Sequence, residues 1–192
     1  MKKKASVKDA RQRVPVELKR TLLMAACICQ RCYPNYQLFC QVSGFADPLQ
    51  YRNILNVVWE WLLVDGAKIN FELQAEKLEP VTPDAEQFDM FGVYPAIDAC
   101  VALNSGLNAV LEGEGESYLR ELLALSRNAL QGFLDMQNIA LQDSPLVETN
   151  EYLLNTVLSL TDVEIKSPAA IRELRRLAAN QGVSNLGITA DD

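Results

Sequence analysis

Along most of the chain apolar residues recur with the spacing of a helix, and strict alternation over strand-length runs is missing. Proline and glycine cut this pattern into segments of helix length. The first predicted helix opens at Pro15 and reaches about Arg31; Pro34 opens a second, short one that ends near Gly44. Proline suits the first helical position, whose amide has no intrahelical partner, and glycine suits the left-handed residue past the last turn. In "ADPLQ", Asp47 reads as the N-cap and Pro48 as the first residue of a third helix to about Val64, closed by the Asp65-Gly66 turn. A fourth spans about Phe71 to Glu79, and Pro95 starts a fifth that runs to about Leu111. "EGEGES" (Glu112 to Ser117), a candidate mobile loop, separates it from a sixth, Tyr118 to Ile139. Pro145 marks a seventh, and Ser167-Pro168 caps an eighth that stops at Gly182. The short connections predict an all-α fold, a single compact bundle of about eight helices over residues 15–192, behind a basic leader over 1–14.

Two of these helices are expected to be central. In "LQYRNILNVVWEWLLV" the polar residues Arg52, Asn56 and Glu60 fall on one stripe at four-residue spacing, so Glu60 belongs to a solvated or ion-paired face despite its two tryptophan neighbours. The fifth helix carries Ala96, Ala99, Ala102, Gly106 and Ala109, small residues that let another backbone come close. Apolar surface around most of a helix predicts either burial or a self-association surface, with a homodimer favoured. The segment "VSNLGI" after Gly182 turns apolar again and is expected to dock back on the body.

Composition narrows the chemistry. The 192 residues are 49% apolar, enough for one real core, and the longest apolar runs fall far short of the roughly 20 residues that span a bilayer. The basic start has no apolar stretch directly behind it, so no signal peptide is expected, and a cytoplasmic protein with reduced cysteines is. There is no histidine at all. That excludes Ser-His-Asp and Cys-His nucleophilic devices and the HExxH type of metal site. Charge is lopsided: residues 1–31 hold nine Lys/Arg and two acids, and the remainder nine Lys/Arg and 23 acids, which together give the net −7. From Leu78 to Leu119 there are eight acids and no base. A basic arm can contact nucleic acid, but the acidic body would repel phosphates, which disfavours that reading.

Few residues invite a chemical role. Cys29 and Cys32 have redox spacing, with Cys27 and Cys40 nearby, yet they sit toward a helix C-terminus, where the dipole opposes a thiolate. Cys27 and Cys29 also point about 200° apart on a helix, poor geometry for one metal ion. Core packing is therefore expected for the cysteines, and no metal or cofactor. Asp98, inside "FDMFGVYPAIDACVAL", is sharper. With Pro95 as first helical residue it lies in the first turn, where free amides favour an anion, and Tyr94 is four residues back on the same face. Asp98 and Tyr94 are thus the catalytic candidates, as a base or as a seat for a cation; a structural carboxylate is the plainer reading. The aromatic loops offer Tyr33, Tyr36, Phe88 and Phe91 as pocket-lining candidates, against core packing. Arg172, Arg175 and Arg176 make a basic face on the last helix, of which Arg172 and Arg175 are candidates for an anionic ligand.

The segments Met24 to Asp47, "FDMFGVYPAIDACVAL" and "GVSNLGI" (Gly182 to Ile188) resemble the YjaG-like family of bacterial cytosolic proteins, a domain of unknown function. The likeness runs in order from about Leu22 to Ile188 and is strongest at Tyr33 to Tyr36 and Gly92 to Asp98. It implies an all-helical domain and brings no catalytic or binding residues with it. The function expected is a protein-interaction or small-ligand-binding module without catalysis. One alternative is a histidine-free enzyme using Asp98 with Tyr94; another is nucleic-acid contact through the basic arm.

Overall fold

The computed structural model describes residues 14–189, so the basic leader and its nucleic-acid reading lie outside the described residues except for Val14. Among the described residues there are seven α-helices and no strand. They are α1 (Val16–Ser43), α2 (Pro48–Leu63), α3 (Phe71–Leu78), α4 (Val93–Glu112), α5 (Glu116–Met136), α6 (Pro145–Ser159) and α7 (Pro168–Ala179), with short 3₁₀ turns between α3 and α4, α5 and α6, and α6 and α7, and after α7. The caps expected at Asp47, Ser167 and Gly44 are present, and Asn70, Ser144 and Gly113 add three more. Asp47, Asn70, Ser144 and Ser167 each accept a bond from an amide of the helix they precede, and Gly44 and Gly113 close α1 and α4 in the left-handed conformation.

The expected eight helices become seven because Pro34 does not open a helix. It lies inside α1, which runs unbroken for 28 residues. A proline in a helix interior removes one ladder bond and crowds the preceding turn, at roughly 3 kcal/mol. Here both sides of it are held: from Leu22 to Tyr36 every residue is buried, so breaking the helix would expose a long apolar cylinder. Tertiary burial overrides the local signal.

α1 is the mast of the fold, touching α2, α4, α5, α6 and α7. Its closest partner is α4, which runs antiparallel to it. There the small residues do what their size permits: Gly106 lies so near α1 that a Cβ on it would stand 2.5 Å from the Cβ of Ala25. The stripe expected either to be buried or to meet a second copy is buried against α1, with Ala96, Ala99, Ala102 and Ala109 all solvent-inaccessible. α1 also closes two other helices. Arg20 donates to the carbonyls of Val157 and Leu158 at the end of α6, and Arg31, three turns on and on the same face, donates to those of Leu177 and Ala178 at the end of α7. Both guanidiniums thus sit at the negative end of a helix dipole.

The tail docks as expected. Ser184, Asn185 and Leu186 are buried, Asn185 accepts from Asn35 of α1 through its side chain (2.8 Å) and from Asn150 of α6 through its carbonyl (3.0 Å). "EGEGES" is likewise tied down: the Thr21 hydroxyl donates to the Gly115 carbonyl at 2.9 Å, and Glu114 accepts from the Glu116 and Ser117 amides at the start of α5. Among the described residues no helix is long and apolar enough to cross a membrane.

Candidate functional site

α4 begins two residues before Pro95. A helix's first four amides have no intrahelical acceptor, so a proline at the third position forfeits nothing, and Val93 and Tyr94 can join the first turn. This moves Asp98. It is the sixth residue of α4, past the free amides, and no hydrogen bond or ion pair reaches its carboxylate among the described residues. The expected first-turn anion is therefore corrected to a half-buried carboxylate without a partner. Burial alone pushes its pKa up to about 6. Tyr94 does share its face, but its ring is exposed and no hydrogen bond joins the two side chains.

Asp98 lies in a cleft of about 230 Å³ between α4 and α5. Phe91, Tyr94 and Pro95 form one wall; Asn128, Ala129, Gly132 and Phe133 form the other. The Phe91 ring centroid is 6.1 Å from those of both Tyr94 and Phe133, so three aromatic rings stand around one carboxylate. Gly132 has a further meaning. It sits inside α5, where glycine costs roughly 0.5–1 kcal/mol relative to alanine, and nothing lies within 4 Å of where its Cβ would be. No packing contact explains it, and it lines the cleft.

The comparisons with known proteins bear on the whole of this architecture. The family described as "Protein of unknown function (DUF416)" matches residues 12–189. The chain belongs to the DUF416 family. It is 39% identical over 170 residues to the uncharacterized protein YjaG of Escherichia coli K12, covering 85% of this chain and 87% of that one. To an uncharacterized protein of Haemophilus influenzae it is 36% identical over 180 residues, covering 87% and 89%. A crystal structure of a DUF416 family protein from Shewanella baltica OS155 superimposes with a TM-score of 0.75 at 29% identity, over 90% of this chain and 93% of that one.

In this DUF416 protein the remaining candidates separate into core and surface. Tyr36 is fully buried, stacked on Tyr51 at 4.6 Å, and its hydroxyl donates to the Val81 carbonyl at 2.7 Å. Phe88 packs edge-on against Phe39 and Phe45, away from the cleft. All five cysteines are free and buried; burial pushes the thiols of Cys27, Cys32 and Cys100 up to about 12 and raises those of Cys29 and Cys40. Such thiols are poor nucleophiles and poor metal ligands. Among the described residues no group of three or more Cys, Asp or Glu is placed to hold a metal ion.

Tyr33 and Arg175 come together instead at a second place, where α1, α2 and α7 meet. The Arg52 guanidinium lies 4.5 Å over the Tyr33 ring, and that of Arg175 lies 5.4 Å over Trp59 while donating to Asn56 Oδ1 at 2.6 Å. Arg172, one turn before Arg175, is exposed, and Arg176 pairs with Glu173 on its own helix. The expected ion-paired or solvated stripe of α2 is thus half of a surface shared with α7, while Glu60 points to solvent. The sequence reading missed Arg31, Arg52 and the α5 wall. Arg31 had one signal: an arginine inside an apolar run from Leu22 onward has to find acceptors. Gly132 and Phe133 had none, since α5 reads as an ordinary amphipathic helix.

Proposed function

We propose that this DUF416 protein is a binding module without chemistry of its own, and that the α4–α5 cleft is where it takes the cationic group of a small ligand, an amine or guanidine. The observation that carries this reading is Asp98: a half-buried carboxylate with no partner among the described residues, walled by three aromatic rings. A carboxylate desolvated in this way gains from an incoming cation, and aromatic faces add cation–π attraction of about 0.5–2 kcal/mol. The volume suits a small group rather than a drug-sized ligand. The enzymatic alternative has less support, because Tyr94 and Asp98 are not bonded and the five thiols are buried in their neutral form.

The test is calorimetric titration with alkylammonium and alkylguanidinium probes. Saturable binding that disappears in Asp98→Asn and in Gly132→Leu, with both variants folded by circular dichroism, supports the reading. Binding unchanged in Asp98→Asn, or no binding by the parent protein, overturns it. We also propose the homodimer, supported by the exposed apolar shoulder of Met90, Phe91 and Tyr94 beside the cleft. Sedimentation equilibrium showing a monomer across the accessible concentration range would remove that part.

A further inference from the structure

On the face opposite in chemistry to the Asp98 cleft, the α1–α2–α7 junction gathers more hydrogen-bond donors than acceptors. Arg52 and Arg175 are both half-buried, each laid on an aromatic ring, and neither has an ion pair among the described residues. They flank Asn56: Arg52 is one helical turn before it on α2, and Arg175 reaches it from α7. Two acceptors are at hand: Asn56 Oδ1, already taken by Arg175, and the Tyr33 hydroxyl beside Arg52. Trp59, beneath Arg175, is fully buried, and its Nε1–H has no acceptor among the described residues. Glu60, one turn beyond Asn56, pairs with neither arginine and faces solvent.

This arrangement is electrostatically one-sided in a chain whose net charge is −7. Burial, and behind it the charge of Arg52, lowers the pKa of Arg175, so the two guanidiniums feel each other. An arginine that served only to cover Trp59 would be better placed beside one of the many carboxylates of this protein. Arg175 spends one N–H on Asn56 and Arg52 has the Tyr33 hydroxyl beside it, so most of the five N–H donors of each guanidinium are left over. A planar guanidinium with a free edge is the group that binds oxyanions through two parallel bonds. Two of them on one surface, with exposed Arg172 a turn away, make a receptor for one anionic group.

We propose that Arg52 and Arg175 form an oxyanion-binding site that takes the phosphate or carboxylate group of a small ligand, held between two aromatic-backed guanidiniums. The site is independent of the Asp98 cleft and stands or falls without it. Inorganic phosphate and succinate serve as the two probes, titrated into the full chain at low ionic strength and followed by the two-dimensional NMR shift of the Trp59 indole N–H. Saturable shifts with phosphate, succinate or both are expected, and which probe acts identifies the source of the oxyanion. Arg52→Gln and Arg175→Gln should each weaken binding at least about tenfold, because each removes charge-assisted bonds. Arg175→Lys should weaken it as well, keeping the charge but losing the fork. Arg120→Gln, on the far surface of α5, should bind as the parent does, and so should Asp98→Asn. No saturable shift with either probe, or equal weakening by Arg120→Gln, overturns the proposal. Should Arg175→Gln fail to fold, Arg52→Gln decides alone, since its loss exposes only the Tyr33 ring.

Discussion

Asp98 releases its proton near pH 6 in the folded chain, against about 3.9 in an unfolded one, because burial penalises its charged form. The folded state therefore holds a proton that the unfolded state has lost between about pH 4 and pH 6. Its contribution to stability is complete below pH 4 and disappears as pH rises through 6. Asp98→Asn should accordingly raise the Tm at pH 8 and leave it unchanged at pH 4, a comparison that two thermal melts provide. Cation binding has the opposite dependence and should weaken as the pH drops below about 6. Arg31 gives a contrasting residue-scale prediction. It is 2% exposed, has no carboxylate partner among the described residues, and is held by two carbonyls at the end of α7. Arg31→Ala removes those bonds and the packing of its stem together, and should cost about 2–4 kcal/mol in urea denaturation. Of these two residues, Asp98 was visible in the sequence as an acid among hydrophobes. What was not visible was its register, since Pro95 reads equally well as first or third helical residue and the two placements give the carboxylate different company.

Elements were legible where a cap announces them and illegible where packing decides. Asp47-Pro48, Ser144-Pro145 and Ser167-Pro168 each place a side-chain acceptor directly before a proline, and α2, α6 and α7 start there. Tyr33-Pro34 has the same proline without a capping side chain before it, and α1 runs through it. The α1–α4 contact was foreshadowed by its small residues, although whether α1 or a second copy would fill it could not be read from spacing. That contact makes a sharp prediction. Gly106→Ala would press a methyl group against Ala25 and should destabilise by about 1–3 kcal/mol. Ala25→Gly makes room for it, so a double-mutant cycle should show favourable coupling of at least about 1 kcal/mol. Gly132→Ala, in α5, should do the reverse and stabilise by about 0.5–1 kcal/mol, because open space replaces the clash. The same denaturation assay reads both signs.

For the molecule as a whole, the five thiols act as reporters of global opening. They lie on α1 and α4, all buried, so an aromatic disulfide reagent at pH 8 should label none of them in the native protein and five per chain in urea. If native labelling occurs, its rate should equal the unfolding rate. The all-helical class followed from periodicity and punctuation, and the buried thiols from their place in an apolar run. The meeting of Tyr33, Arg52 and Arg175 did not follow, because their separation in the sequence holds no trace of the α1–α2–α7 junction.

Arg31 and Asn35 lie on α1, yet their partners are residues 177, 178 and 185, far later in the chain. At a synthesis rate of roughly 5–20 residues per second, that interval is on the order of 10 s. Throughout it the mast of the fold carries a cation and an amide with no acceptors inside the growing chain. The core can gather around α1 during translation, but it cannot close before the tail arrives. A chain cut short at Arg176 would keep six of its helices entire and most of α7, and would still lack the oxygens that accept from Arg31 and Asn35. Such a product is expected to be held by chaperones or degraded rather than to accumulate as a slightly shorter protein.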